Sequence, residues 1–161
     1  MWKYKEYEAH NIVSLHDCRS DSIYFDGNDI IVDFSDGFWI LPETGYHDHD
    51  RPLKTGPAQV RMHGYDFEQV VEYVDMFKTT YFFRKQILCR RVRKDIMAVC
   101  NMINRGSHEL EFLWEYHRPG NALYQCCFWR KGKGLEADCQ FEATVQSIEY
   151  LWNEIIPDRE W

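Results

Sequence analysis

The sequence predicts an α+β fold built on a curved antiparallel β-sheet or open barrel of about eight or nine strands, with one central helix and a short C-terminal helix. Three observations predict it: two turns that separate strand-like runs near the start, one amphipathic segment, and a later series of strands joined by short turns. The chain has 161 residues, so we expect residues 1–161 to form a single domain with its own core.

The first predicted element after an edge strand or ordered arm in residues 1–14 is a β-hairpin. Runs rich in β-branched and aromatic residues, 22–25 and 30–34, flank the turn-forming sequence Asp-Gly-Asn-Asp. A second turn at Asp36 and Gly37 leads into residues 38–41. These three runs and two turns predict a three-stranded meander.

The middle of the chain predicts a long polar loop and then further strands. The strand pattern breaks at Pro42 and stays irregular as far as Gly56, and loops of this length in compact domains are commonly functional. Alternating or β-branched residues then predict strands over residues 58–65, 70–77 and 81–89.

One segment has a clear helical pattern, over residues 95–104. Ile96, Val99, Cys100 and Ile103 form a single apolar stripe, and a glycine follows the segment as a stop signal.

Residues after the helix predict three strands, over 110–116, 122–129 and 135–141, which form an antiparallel meander because their connecting turns are short. Over residues 144–156, apolar side chains recur at spacings of three and four. This spacing predicts the C-terminal helix.

The charge of the chain limits its partners. The formal net charge is −7, which argues against nucleic acid because phosphate binding needs a basic surface. Residues 1–80 hold fifteen acids against seven bases, so the front half is the acidic part. The basic run over residues 84–94, with the aromatic residues 81–83 beside it, could contact an anion or RNA. We favour the interpretation that it covers the solvent-facing side of a strand and the approach to the helix.

The sequence also predicts a compartment. The N-terminus has no signal-peptide pattern, and no apolar run approaches the length needed to cross a bilayer. Six cysteines match no disulfide framework or zinc spacing, so we expect reduced thiols. A soluble, cytoplasmic protein without membrane association and without a cofactor is the expectation.

Two segments contain residues that could support chemistry. His47 and His49 lie two apart in the long loop, so their imidazoles point the same way on an extended chain. A third metal ligand could come from His16, His63 or Asp17. A solvated polar loop is the favoured interpretation. Cys18 follows a histidine and an aspartate, but neighbouring residues on an extended chain face opposite ways, which argues against a nucleophile and base pair.

The leading functional hypothesis is a non-enzymatic protein-binding domain. Its acidic front half, with aromatic side chains that we expect to be exposed, would engage a basic protein partner. The residues predicted to contact that partner are Asp26, Asp29, Asp36 and Trp39. The alternative is a small-ligand or metal-binding barrel that uses the His47 and His49 loop, and an enzyme with dispersed catalytic residues ranks last.

Several segments of the chain resemble a group of small uncharacterised bacterial proteins, chiefly from Firmicutes. The segments are Leu15-His16-Asp17-Cys18, Ile23, Phe34-Ser35-Asp36-Gly37-Phe38-Trp39 and Glu149-Tyr150-Leu151-Trp152-Asn153-Glu154-Ile155. The opening is also similar to that of several polymorphic-toxin immunity proteins. The resemblance implies a cytoplasmic β-rich domain with no assigned catalytic residues, and an immunity or antitoxin role by analogy of fold.

Overall fold

The computed structural model describes residues 1–64, 71–83 and 85–161, with the side chains of Phe82, Lys85 and Ile87 left out. The elements run in the order β1 (Tyr4–Tyr7), β2 (Val13–Ser14), β3 (Cys18–Ser20), β4 (Ser22–Asp26), β5 (Asp29–Phe34), β6 (Trp39–Ile40), β7 (Leu53–Thr55), β8 (Ala58–His63), β9 (Tyr73–Phe82), β10 (Lys85–Asp95), α1 (Ile96–Asn104), β11 (His108–Arg118), β12 (Asn121–Arg130), β13 (Gly134–Thr144), β14 (Ser147–Trp152) and β15 (Ile155–Glu160).

The predicted fold class is wrong. Strands make up 62% of the described residues and helix only 6%, so the protein is mostly β rather than α+β. The strands form three antiparallel sheets, none of them closed, in place of one curved sheet or barrel of eight or nine strands. In order, the sheets are β1-β14-β8-β5-β4, β10-β9-β13-β12-β11-β3 and β15-β7-β6-β2.

The hairpin prediction is confirmed, but the meander prediction is wrong. β4 and β5 pair from Ser22 and Asp33 to Asp26 and Asp29, whereas β6 pairs with β7 and β2 in another sheet. Gly37 explains the change of sheet: its φ is +73°, and a Cβ there would lie 2.4 Å from the Thr55 carbonyl oxygen. This close approach requires glycine and directs the chain towards β7.

The predicted C-terminal helix is also wrong, because residues 147–152 and 155–160 form β14 and β15. β14 lies between β1 and β8 and is buried on both faces. A strand buried on both faces loses the alternation that identifies it, so its apolar residues also fit a helical period. Pro157 is tolerated because β15 is an edge strand with a register shift after Ile156.

Most of the other predicted elements are confirmed with shifted ends. The helix begins after Asp95, whose side chain accepts a hydrogen bond from the Ala98 amide at 3.2 Å and caps it. The strands at 110–116, 122–129 and 135–141 are parts of β11, β12 and β13. The strand predicted over 81–89 is wrong, because a turn at Phe83 divides these residues between β9 and β10, and the predicted loop as far as Gly56 contains β7. Tyr65, Val70 and Arg84 of the predicted strands lie outside the described residues.

One cluster of buried side chains contains residues from all three sheets and from the helix. Phe34 and Phe112, on two different sheets, have ring centroids 5.5 Å apart in this core. All six cysteines are free, as predicted, and five of them are buried. Among the described residues, no helix is long and apolar enough to cross a membrane.

Candidate functional site

The four residues predicted to bind a partner lie in two separate places. Asp26 and Asp29 flank the β4–β5 turn, where Asp29 Oδ2 is 2.9 Å from His63 Nδ1. The second place contains Asp36 and Trp39. Asp36 forms ion pairs with Lys54 at 3.0 Å and with Arg159 at 2.7 Å. The structure therefore does not bring the predicted acidic residues into one continuous surface.

Trp39 is half-buried rather than exposed. Its ring stacks on Trp161 with centroids 5.5 Å apart, and the Lys54 ammonium lies 4.7 Å from its centroid. Its indole N–H donates to the His16 carbonyl oxygen at 2.9 Å.

The pKa of nearby Asp36 is lowered. Partial burial acts to raise this pKa, but hydrogen bonds from Arg159 and Lys54 outweigh the burial and hold it below its ordinary value.

Of the four histidines predicted as metal ligands, only His47 and His49 lie close to each other. His47 and His49 have ring centroids 6.0 Å apart, as their spacing suggests. His16 contacts Trp114 and Trp161 instead, and His63 lies between Asp29 and Glu149. The described part of the chain contains no group of three or more His, Cys, Asp or Glu side chains arranged to hold a metal ion.

The Cys18 thiol is buried, and this burial raises its pKa to about 12. A thiol at this pKa is not ionised at neutral pH, so Cys18 is not an activated nucleophile.

A different group of polar side chains is assembled by a β-bulge in β11. The pairing with β12 runs from Phe112 opposite Cys126 to Trp114 opposite Gln125, so Leu113 is the extra residue. Before the bulge, the even-numbered residues of β11 face the core; after it, the odd-numbered ones do. The bulge thus turns Glu115 and His117 inward and leaves Trp114 exposed.

Glu115 and His117 meet Tyr150 of β14 and His10 from the segment after β1. The Glu115 Oε2 atom lies 3.1 Å from His117 Nε2 and 3.4 Å from the Tyr150 hydroxyl. That hydroxyl is 3.1 Å from His10 Nδ1, and the two imidazole rings stack with centroids 3.5 Å apart. We call His10, Glu115, His117 and Tyr150 the polar cluster.

Glu8 completes the cluster on its outer side. Its Oε2 atom lies 3.0 Å from His10 Nε2, and because a carboxylate only accepts, this ring nitrogen carries the hydrogen. His10 Nδ1 can then accept the Tyr150 hydroxyl proton, and Glu115 is the second acceptor within reach. The tyrosine hydroxyl therefore connects a histidine and a carboxylate, two groups that commonly act as general acids and bases.

The hydroxyls of two tyrosines in this region, Tyr124 and Tyr150, stay protonated at neutral pH. Burial raises the pKa of Tyr150 and of Tyr124 well above the ordinary value, and the negative charge of Glu115 raises both further. The Tyr124 hydroxyl is fully buried and has no hydrogen-bond partner among the described residues.

A cleft of about 440 Å³ opens beside the polar cluster, between the N-terminal segment and β11. Val13, Leu15, Leu41 and Phe112 form its apolar wall. Trp114 and Trp161 add aromatic surface, and His10, His16 and Glu115 supply most of its polar groups. A concave apolar cleft with a few convergent polar groups is the usual form of a small-molecule site.

Comparison with protein-family models, with curated proteins and with solved structures finds no match. The resemblance to Firmicutes proteins and to immunity proteins therefore stays a prediction. The functional argument rests on the cleft and the polar cluster.

Sequence reasoning missed the whole polar cluster. Leu110, Phe112, Trp114 and Tyr116 all lie at even positions, so a regular strand would place Glu115 on the opposite, solvent side. No turn-forming or glycine residue marks the bulge. The available signal is Leu113, an apolar residue that interrupts the alternation of apolar and polar side chains at the bulge.

Proposed function

We propose that this protein binds a small amine with an apolar or aromatic body in the cleft beside the polar cluster. The observation that carries this proposal is the position of Glu115, the carboxylate among the described lining residues, on the wall of a largely apolar and aromatic cleft. This is the small-ligand alternative predicted from the sequence, at a different place from the His47 and His49 loop.

The chemistry of the cleft favours a cation. Among the described residues that line it there is a carboxylate, Glu115, but no lysine or arginine. The Oε1 atom of Glu115 accepts only a long hydrogen bond of 3.4 Å, from the Leu15 amide, so it retains acceptor capacity. Trp114 and Trp161 offer indole faces, which attract ammonium groups through their π-electrons.

The test compares two phenyl ligands of similar size and opposite charge, phenethylamine and 3-phenylpropanoate, by isothermal titration calorimetry. We expect the amine to bind with a Kd of about 0.1–1 mM, as is usual for a ligand of this size, and the acid not to bind. Glu115→Gln should weaken amine binding about tenfold or more, because the ammonium loses its ionic partner. Equal binding of both ligands would contradict the proposal.

Matched variants separate the cleft from general effects. Glu142→Gln removes an exposed carboxylate that pairs with Arg118, and it should leave amine binding unchanged. Leu41→Trp narrows the cleft and should abolish binding, whereas Leu135→Trp alters an exposed leucine and should not. If Leu41→Trp binds the amine normally, the ligand lies elsewhere.

A cytoplasmic location is part of this proposal. What supports it is the spacing of the six cysteines, which matches no disulfide framework and suits a reducing compartment.

Protein binding of the immunity or antitoxin type is the second candidate function, and an open recess near the β4–β5 turn supports it. The recess has a volume of about 600 Å³, and Tyr7, Asp26 and Asp29 are part of its lining. Tyr7 is 55% exposed and Asp26 is exposed. An exposed aromatic next to two carboxylates suits a basic protein partner.

The test of this second function is affinity capture from the host lysate at low salt. We expect one stoichiometric basic protein that high salt releases. Asp26→Lys should abolish capture, whereas Asp50→Lys, an exposed charge reversal in the long loop, should not. Capture that survives Asp26→Lys would exclude this recess as the binding surface.

A further inference from the structure

The hairpin of β9 and β10 extends beyond the rest of its sheet. β9 pairs with β13 only at Asp75, Met76 and Phe77, while β10 pairs with β9 along its whole described length. Among the described strands, β10 is therefore an open edge of the six-stranded sheet. An open edge presents backbone N–H and C=O groups that can pair with another strand.

By contrast, a side chain of the helix covers the edge of the five-stranded sheet at β4. The Ile23 amide donates to Asn104 Oδ1 at 2.9 Å, and the Asn104 amide donates to the Ile23 carbonyl oxygen at 2.7 Å. The helix side chain thus occupies the positions that an added strand would use. No described residue closes the outer edge of β10 in this way.

Both faces of β10 are exposed near its middle. Leu88, Cys89, Arg90 and Arg91 are all exposed although successive side chains point to opposite faces. The Leu88 side chain is 56% exposed to solvent, and Tyr81 of β9 is 65% exposed. A partner that covers only one face of the hairpin would leave half of this surface open, whereas an added strand lies beside both faces.

The charge of the hairpin is opposite to that of the rest of the chain. Residues 73–95 contain seven lysines and arginines against two aspartates, a net charge of +5 in a chain of −7. Arg91 and Arg93 share one carboxylate, that of Asp75, at 2.5 and 3.3 Å. Arg90 lies on the opposite face, so positive charge faces outward on both sides of the edge.

We propose that the open edge of β10 binds an extended acidic segment of a partner protein as an added antiparallel or parallel strand. Backbone hydrogen bonds supply the affinity in this mode, and the side chains of alternate residues supply the selectivity. Pairing of β10 with β10 of a second copy would bring like charges together. A nucleic acid is disfavoured because the remainder of the chain carries a net charge of −12 and cannot use the backbone edge.

The experiment uses the full chain and a short capped peptide in which aspartate and glutamate alternate with valine and threonine. A second peptide with lysine at every acidic position is the charge control. Titration by NMR should show binding of the acidic peptide only. Hydrogen exchange should slow at every second amide of β10, since only alternate amides face the edge.

Arg90→Glu should weaken binding of the acidic peptide about tenfold, and raising sodium chloride from 50 to 300 mM should weaken it several-fold. The matched control is Arg105→Glu, an exposed charge reversal after the helix, which should leave binding unchanged. The salt titration on the unmodified protein keeps the test valid if the Arg90 variant does not fold.

Three results would overturn the proposal. They are equal binding of the lysine peptide, binding without slowed exchange in β10, and tighter binding of a single-stranded RNA of similar length. None of these results bears on the amine cleft, whose test measures a different ligand at a different place.

Discussion

At the scale of single residues, Tyr124 and Tyr150 are a matched pair of buried tyrosines with different hydrogen bonding. The Tyr150 hydroxyl contacts His10 and Glu115, whereas the Tyr124 hydroxyl has no partner among the described residues. A buried hydroxyl without a partner bears the cost of desolvation and gains no hydrogen bond in return. The two side chains should therefore contribute differently to stability.

We expect Tyr150→Phe to lower the free energy of unfolding by about 1–2 kcal/mol, because His10 and Glu115 both lose their hydrogen bond to the buried hydroxyl. Tyr124→Phe should change it by less than about 0.5 kcal/mol or raise it, since no hydrogen bond is lost. Urea unfolding followed by circular dichroism measures both values. Equal destabilisation by the two variants would show that the Tyr124 hydroxyl does form a hydrogen bond.

At the scale of elements, the sequence predicts strands and helices well where one face is wet. β4, β13 and the helix show clear periods because each has an exposed side, and their positions are predicted to within a few residues. β14 is buried on both faces, so its period is absent and a helix is predicted in its place.

The candidate site depends on an irregularity that residue types mark only weakly. The bulge at Leu113 reverses which side chains of β11 face inward, and its local signal is one apolar residue that interrupts the alternation. The predicted metal ligands His47 and His49 are near neighbours in sequence. The polar cluster instead joins residues more than one hundred positions apart, such as His10 and Tyr150, which only the pairing of strands brings together.

At the scale of the whole molecule, an ion network joins three strands of the six-stranded sheet. Glu136 of β13 lies 2.7 Å from Lys78 of β9 and 3.1 Å from His108 of β11. The hydrogen bond from Lys78 has the largest effect on the pKa of Glu136, which falls from the ordinary 4.5 to about 2 although partial burial opposes the change. His108 crosses over β12 to reach this carboxylate and stacks on Phe128.

The lowered pKa of Glu136 makes stability depend on pH with a defined sign. Because the folded pKa lies below the unfolded one, the carboxylate stabilises the fold fully above pH 4.5, and this contribution is lost as the pH falls towards about 2. Glu136→Gln should therefore lower the free energy of unfolding by about 1–2 kcal/mol at pH 7, allowing for solvent screening. The loss should become progressively smaller between pH 4.5 and about 2.

The matched control is Glu142→Gln, which removes an exposed pair with Arg118 and should lower the free energy of unfolding by less than about 0.5 kcal/mol at any pH. Urea unfolding of the three proteins across this pH range measures the difference. A pH-independent cost for Glu136→Gln would mean that the network stabilises the sheet by packing alone, whereas a cost that disappears in acid identifies the charge of Glu136 as the link between β9, β13 and β11.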